Sequence, residues 1–417
     1  MTFDVLVVGG GPAGSICAAR LAARGHKVAL LERARHPRFH LGESLLPQSL
    51  DVLDAIGVLP EVRRRFLTKR GARFVDGSDE GRAVRYSFAE AFQANHDHAF
   101  QVPRDEFDHL LFQNAGARGA ELREGWEATR VVHEDGRAVG VEARAPDGNA
   151  CTIPARFVVD ATGREAMVAR AGAAVDRIPG LDGTALYTQV RGAWRDTGEL
   201  EGDIQIFVFG EGCDVGWFWL IPFADGRTSV GAVVSRTWIR ARTNHTLGGP
   251  PALFAAAVEL APTVARMLDQ VQWLFAPRAT ADFSFRVREL RGPGWLSVGD
   301  AAGFIDPLFS TGAHLAMRGA LKAADAIDTF LSGSHVGPGL FEAWEDELRG
   351  GVELFVGAVQ AFYLGDLTKF LFARNQHPFL RRAITSMLAG DVFDPRALWA
   401  REMRTRFPAR LESQKSG

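Results

Sequence analysis

The chain has 417 residues, 47% of them hydrophobic and 24% charged, an ordinary globular balance at a length that calls for two packed units rather than one small core. No apolar run approaches the roughly 18 residues of a membrane span, and no basic n-region with a small-residue cleavage site opens the chain, so a cytoplasmic protein without membrane insertion is expected. A net charge of −2 excludes broad electrostatic affinity for nucleic acid, and Cys17, Cys151 and Cys213 lack CxxC spacing, so they read as buried small hydrophobes and no metal site is expected.

Phe3 to Val8 is a short apolar run of the kind found in buried parallel strands. Gly9-Gly10-Gly11-Pro12-Ala13-Gly14 follows, then a small-residue helix to about Arg24 and a second strand from Lys27 to Leu31. A GxGxxG run alone is a weak signal. Placed between a strand and a helix, with Glu32 closing the next strand 18 residues past the last glycine, it describes a dinucleotide-binding βαβ unit. Gly9, Gly11 and Gly14 permit a tight turn and close backbone approach. A pyrophosphate can then sit on the helix N-terminus over Pro12 and Ala13, while Glu32, with Arg33 beside it, faces the adenosine ribose. A purely structural glycine turn is the alternative.

The stretch from about 35 to 75 reads as loop and helix, and 130 to 160 alternates as antiparallel strands ending in Arg156-Phe-Val-Val-Asp160. From 184 to 285, runs such as Ile204 to Phe209 and Ser229 to Val234 predict a second sheet, with a helix near 250 to 270. Trp295-Leu-Ser-Val-Gly-Asp300 is a further strand ending in a turn, Gly312 to Leu331 a helix, and the chain beyond 340 is helical and rich in aromatics.

Three segments carry a resemblance to FAD-dependent hydroxylases and their relatives. Trp295 to Pro307 resembles the second FAD fingerprint, with Asp300 placed to hold the ribityl chain, although a helix cap is open for that residue. Gln101-Val-Pro-Arg104 resembles the arginine-bearing segment, and Asp160-Ala-Thr-Gly163 the second nucleotide-side turn. The resemblance covers about residues 3 to 330. It implies an α/β, glutathione-reductase-like FAD-binding Rossmann domain (1–180 and 280–335), an inserted antiparallel-sheet substrate domain (75–100 and 184–280) and a helical C-terminal segment (336–417) over the active site.

Within that group the chain resembles the flavin-dependent halogenases of phenols and pyrroles. Trp217-Phe-Trp219-Leu-Ile221-Pro222 is a full WxWxIP match. In the family these indoles lie beside the flavin, so Trp217→Ala is expected to leave folding nearly intact; core aromatics on a strand are the alternative, which a collapse of the melting transition would favour. Phe66-Leu-Thr-Lys69-Arg-Gly71 resembles the segment presenting the family's essential lysine, downstream of Arg38-Phe-His-Leu-Gly42-Glu-Ser. A solvated loop lysine is the alternative. Lysine is scarce here, occurring only at 27, 69, 322, 369 and 415.

Asp306-Pro-Leu-Phe309-Ser310-Thr311-Gly312 resembles the family's Pro-x-Phe-Ser-Ser-Gly run, whose backbone N–H groups at a helix start suit a halide or the flavin edge. Phe309 stands where tryptophan halogenases carry a glutamate. The resemblance therefore implies an enzyme using reduced FAD, oxygen and chloride or bromide, acting through hypohalous acid on a small electron-rich aromatic, free or presented by an acyl or peptidyl carrier protein. Asp160-Ala-Thr-Gly163 in place of the hydroxylases' Asp-Gly motif implies a separate flavin reductase. An FAD-dependent monooxygenase or oxidoreductase without halogenation is the competing reading. His314, nearest the expected site, reads as a packed or capping residue rather than a base.

Overall fold

Phe3–Val8 is buried along almost its whole length because both its edges are paired in parallel, with Val28–Glu32 on one side and Ala150–Asp160 on the other. The computed structural model describes residues 2–77, 82–210, 215–243, 248–281, 283–333 and 339–411. Trp295–Ser297 and Glu121–Glu124 extend the same parallel sheet at its two sides. Gly9, Glu32, Asp160 and Gly299 thus come to one edge, at or just past the carboxyl ends of neighbouring strands. That edge is where open α/β sheets bind ligands. Helix Pro12–Ala23 packs between helices Arg104–Ala117 and Thr311–Leu331, and its buried Ala13, Gly14, Ser15, Ala18 and Ala19 allow close approach on several sides.

Ala150–Asp160 does two jobs. Its first half pairs antiparallel with Arg137–Arg144, which in turn pairs with Glu127–Glu134, and its second half enters the parallel sheet. The alternation across 130–160 is therefore a real antiparallel ladder.

The second sheet runs Ala83–Ser87, Gly71–Asp76, Ile204–Phe209, Gly216–Pro222, Arg227–Val234, Thr184–Arg191, edged by Gln272–Trp273 and Arg278–Ala281. Gly216–Pro222 is buried at every position yet still has period two. Trp217, Trp219 and Ile221 point into the core shared with the nucleotide sheet. Phe218 and Leu220 point into a separate core beneath helices Gly249–Glu259 and Pro262–Met267.

Two readings change. The stretch 35–75 contains helices Ser49–Ala55 and Leu59–Arg65 but also strands Leu67–Lys69 and Gly71–Asp76. Lys69 is thus on a strand, paired with Ala99–Gln101 some thirty residues later, a pairing that local sequence pattern does not carry. Cys17 is buried as expected, whereas Cys151 is exposed on the antiparallel part of its strand; Cys213 lies outside the described residues.

Beyond 339 the chain is helical, with Gly339–Tyr363 against Thr311–Leu331, followed by Asp366–Leu371, Pro378–Leu388 and Leu398–Arg406. His314 ties this segment down. Its Nε2–H donates to the Gly390 carbonyl at 3.0 Å, which leaves Nδ1 to accept from Ser49 Oγ at 3.0 Å. Burial pushes the imidazole down to about 4, so it stays neutral as a clamp. Among the described residues no helix is long and apolar enough to cross a membrane.

Gly14 admits no side chain, since a Cβ there would lie 1.9 Å from the Gly9 carbonyl oxygen. Gly14→Ala is expected to displace the whole turn and to destabilise the protein by about 2 kcal/mol or more, read as a lowered melting temperature together with lost dinucleotide retention.

Candidate active site

The glycine turn shows which of its residues serve the fold and which leave room. Gly9, at φ +111°, would put a Cβ 2.1 Å from the Ala161 carbonyl oxygen, whereas a Cβ on Gly11 would meet nothing nearer than Arg38 Nη2 at 3.7 Å. Gly11 therefore faces open space. It is also the N-cap of helix Pro12–Ala23 and supplies no side-chain cap, so first-turn N–H groups are left for an anion. Ala13 packs close to the turn at Gly299, where a Cβ would come within 2.8 Å of its methyl. Glu32 holds the arrangement from the strand side, its Oε2 accepting from Gly10 N–H at 2.8 Å and its Oε1 from Ala34 N–H at 2.9 Å.

A chain of charges runs from there across the sheet edge. Arg38 donates to Glu32 at 3.3 Å and to Asp108 at 3.2 Å. Asp108 in turn takes two bonds from Arg104, at 2.6 and 3.0 Å, and the remaining Arg104 nitrogen donates to the Leu41 and Gly42 carbonyls at 2.6 and 3.3 Å. Asp300 stands within the field of Arg104 but has no hydrogen-bond partner among the described residues, and burial pushes its carboxyl up to about 6 against the pull of that arginine. A carboxyl in this state needs a donor.

The other nucleotide-side residues fall into different positions. Arg33 lies exposed on the rim, ion-paired with Glu165. Asp160 spends its acceptors on its own turn, taking Thr162 N–H at 3.0 Å, Thr162 Oγ1–H at 2.6 Å and Val168 N–H at 2.9 Å. It shapes the turn rather than reaching a ligand. Gly163 has open space where its Cβ would be. The open glycine, the uncapped helix start and the unpartnered Asp300 carboxyl fit an extended dinucleotide with a polyhydroxyl chain, as FAD is. Arg38 and Asp108 lie within segments that carry the resemblance, but no role was expected of either, although Asp108 sits one helical turn after Arg104, where an ion pair is expected.

Lys69, on the strand Leu67–Lys69, is 1% exposed. Its Nζ donates to the Leu45 carbonyl at 3.0 Å and lies 5.2 Å from the centre of the Phe88 ring. Burial pulls its ammonium down to about 7, with Asp203 pulling the other way. The solvated-loop alternative is thereby removed. The indoles of Trp217 and Trp219 lie 5.9 Å apart, both in the main core. Trp217 Nε1–H donates to Tyr363 Oη and Trp219 Nε1–H to Ser229 Oγ, partners that no motif pointed to.

Asp306 caps the turn before helix Thr311–Leu331, accepting Leu308 N–H at 3.0 Å. Ser310 is left-handed at φ 57°, Thr311 is buried, and a Cβ on Gly312 would press on the Phe304 ring at 3.0 Å. Phe309 is packed in the core.

Fold and cradle define an FAD-binding protein, and residues 2–353 match the family described as FAD binding domain. A 1H-pyrrole-2-carbonyl-[peptidyl-carrier protein] brominase from Pseudoalteromonas luteoviolacea is 28% identical over 94% of this chain and 93% of its own length. A tryptophan 2-halogenase from Chondromyces crocatus is 32% identical over 79% of this chain, which spans 62% of that enzyme. Among solved structures, a flavoprotein/dehydrogenase from Cytophaga hutchinsonii superposes with a TM-score of 0.88 at 30% identity, over 98% of this chain and 97% of that one. The chain belongs to the flavin-dependent halogenase family.

The Lys69 amine has an ordinary value of 10.5 once unfolded and about 7 when folded, so the unfolded chain binds more protons between those values and stability rises with pH across that window. Below about pH 7 the penalty is fully present. Lys69→Met is expected to raise the melting temperature at pH 6 to 7, with the gain shrinking toward pH 10, read by thermal scans along a pH series. Trp217, at 1% exposure, is a core residue as well as a candidate site residue. Trp217→Ala is therefore expected to destabilise by roughly 3–5 kcal/mol, contrary to an intact fold, as denaturant titration will show.

Proposed function

We propose that this protein is a halogenase that uses reduced FAD, oxygen and chloride or bromide to halogenate an electron-rich aromatic, a phenol or pyrrole, through hypohalous acid. The observation that carries the reading is Lys69, a buried amine that makes no ion pair among the described residues and whose proton affinity burial pulls down to about 7 against the field of Asp203. An amine whose proton affinity is lowered toward neutrality can donate a hydrogen bond to hypohalous acid when charged, or trap its halogen when neutral, before delivery to substrate.

Bound and reduced, FAD supplies the reaction with oxygen that yields an oxidant for halide. The chain's own residues do the rest. Gly9, Gly11, Pro12, Ala13, Gly14, Glu32 and Arg33 take the adenosine diphosphate half, with Gly163 at the second turn, and Arg104 and Asp300 hold the ribityl and flavin half. Thr311 and Gly312 offer backbone N–H groups to halide at a helix start, while the expected Ser310 N–H is already taken by the Pro307 carbonyl at 2.9 Å. Trp217 and Trp219 wall the route toward Lys69 and exclude water. Residues 1–180 with 280–335 form the flavin unit, 75–100 with 184–280 the substrate unit, and 336–417 the cover.

Phe309 occupies the place of the tryptophan halogenases' glutamate, so the substrate supplies its own activation through a hydroxyl or a pyrrole nitrogen. The likeness to a pyrrolyl-carrier brominase supports a carrier protein as the presenting partner, with reduced flavin delivered by a separate reductase. A second reading, an FAD-dependent oxidoreductase or monooxygenase without halogenation, is favoured by the likeness to a flavoprotein/dehydrogenase.

Mass spectrometry of phenols, carrier-bound pyrrole and free tryptophan, incubated with protein, FAD, a flavin reductase, NADH, oxygen and halide, separates the readings. Halogen isotope patterns on phenol or pyrrole, lost in Lys69→Ala while FAD binding persists, are the expected result. Added oxygen without halogen would replace the halogenase reading by a monooxygenase, and halogenated tryptophan would overturn the substrate class.

A further inference from the structure

Each indole of the Gly216–Pro222 strand is connected to a buried carboxyl group through a hydroxyl. Trp217 Nε1–H donates to Tyr363 Oη at 3.0 Å, and the Tyr363 hydroxyl donates to Asp306 Oδ2 at 2.7 Å. Trp219 Nε1–H donates to Ser229 Oγ at 3.1 Å. Ser229 neighbours Glu43 and favours its ionised form, and Glu43 Oε1 accepts from Gln189 Nε2 at 2.8 Å.

The direction of both chains follows from the groups themselves. An indole N–H can only donate, so each hydroxyl accepts from its indole, and toward an ionised carboxylate it donates its own hydrogen. In that form the hydroxyl is held by both neighbours.

The partners come from separate parts of the chain. Glu43 lies on an extended segment whose carbonyl accepts from Val102 N–H at 2.7 Å. Ser229 is on the adjacent strand, opposite Ile221. Asp306 is in the turn that leads to Ser310, and Tyr363 is the last residue of helix Gly339–Tyr363. Glu43 and Asp306 are 2% and 1% exposed, and among the described residues neither makes an ion pair. Burial pushes their carboxyls up, to about 7 and about 6. Packing alone would be served as well by apolar side chains at such positions.

We infer that Glu43 and Asp306 are positioning residues for the two indoles, Glu43 acting on Trp219 through Ser229 and Asp306 acting on Trp217 through Tyr363. The inference rests on the reading that these indoles wall the flavin's reaction cavity. It makes the C-terminal helix a working part of that wall, because Tyr363 is the contact that fixes Trp217.

The test uses FAD-loaded protein carrying 5-fluorotryptophan, with the fluorine resonances of the two indoles assigned by Trp217→Phe and Trp219→Phe. Tyr363→Phe is expected to move the Trp217 line, and Ser229→Ala the Trp219 line. Ser229→Thr, which keeps a hydroxyl, restores the Trp219 line, while Glu43→Gln and Asp306→Asn perturb the line of their own indole. In the same proteins, hydrogen peroxide released per reduced FAD oxidised is expected to rise about fivefold in Tyr363→Phe and Ser229→Ala, the ratio an ordinary hydrogen bond supports, and to return in Ser229→Thr. Unmoved lines overturn the inference, as do moved lines with unchanged peroxide release. Absence of halogenated product from the unaltered enzyme would remove the halogenase reading alone, since neither readout requires halide.

Discussion

The buried Arg104–Asp108 pair is the constraint on which the flavin side of the molecule depends. A guanidinium cannot shed its proton inside a protein, so burying one requires a carboxylate with matching geometry. Asp108 supplies two of its bonds and the Leu41 and Gly42 carbonyls supply the rest. The backbone just before Glu43 is thereby anchored to helix Arg104–Ala117. Because Asp108 also receives Arg38, which reaches Glu32, which holds Gly10, the glycine turn is fixed by the same set of charges. Taking one member from such a buried set leaves another unpaired, typically at a cost of about 3–5 kcal/mol. Asp300 is the exception that reveals the design. It sits in the field of Arg104, and its carboxyl has no hydrogen-bond partner among the described residues, as the proposed ribityl contact requires.

Lys69 obeys the opposite logic. In a chain where arginine carries nearly all the positive charge, a lysine is buried against the Phe88 ring and donates to a single carbonyl, and among the described residues it makes no ion pair, Asp203 acting on it only through its field. An arginine there would stay charged and destabilise the core. A lysine can lose its proton, so burial lowers its proton affinity to about 7. The same burial that weakens the fold is what the proposed role of Lys69 as proton donor or nucleophile requires.

Much of this was legible in sequence where one chemistry requires one local pattern. The βαβ unit was readable because a strand, three spaced glycines, a helix and Glu32 are close together in the chain, and Arg104 and Asp300 were readable by resemblance. The connections were not. Arg38 reaches Asp108 across seventy residues, and Trp217 reaches Tyr363 across 146. Lys69 is on a strand because Ala99–Gln101 pairs with it, and nothing within Leu67-Thr-Lys69 requires that. Asp160 matched a nucleotide-side motif, yet its acceptors are used within its own turn. Motif matching located the residue correctly but could not say what its oxygens bind.

The spacing of the WxWxIP motif follows from where its strand lies. Gly216–Pro222 is paired on both edges, with Ile204–Phe209 and with Arg227–Val234, so it can neither slide nor rotate. Its two faces border different cores: the odd positions Trp217, Trp219 and Ile221 look toward the nucleotide sheet, while Phe218 and Leu220 look toward the helices behind. Two indoles on one wall must therefore be two residues apart, and an insertion between them would send one into the wrong core. The intervening Phe218 is as necessary as the tryptophans, since it secures the strand from behind. A tryptophan pair on a loop would have the same composition but no fixed face, and its indole N–H groups would lack the fixed hydroxyl partners that Ser229 and Tyr363 provide.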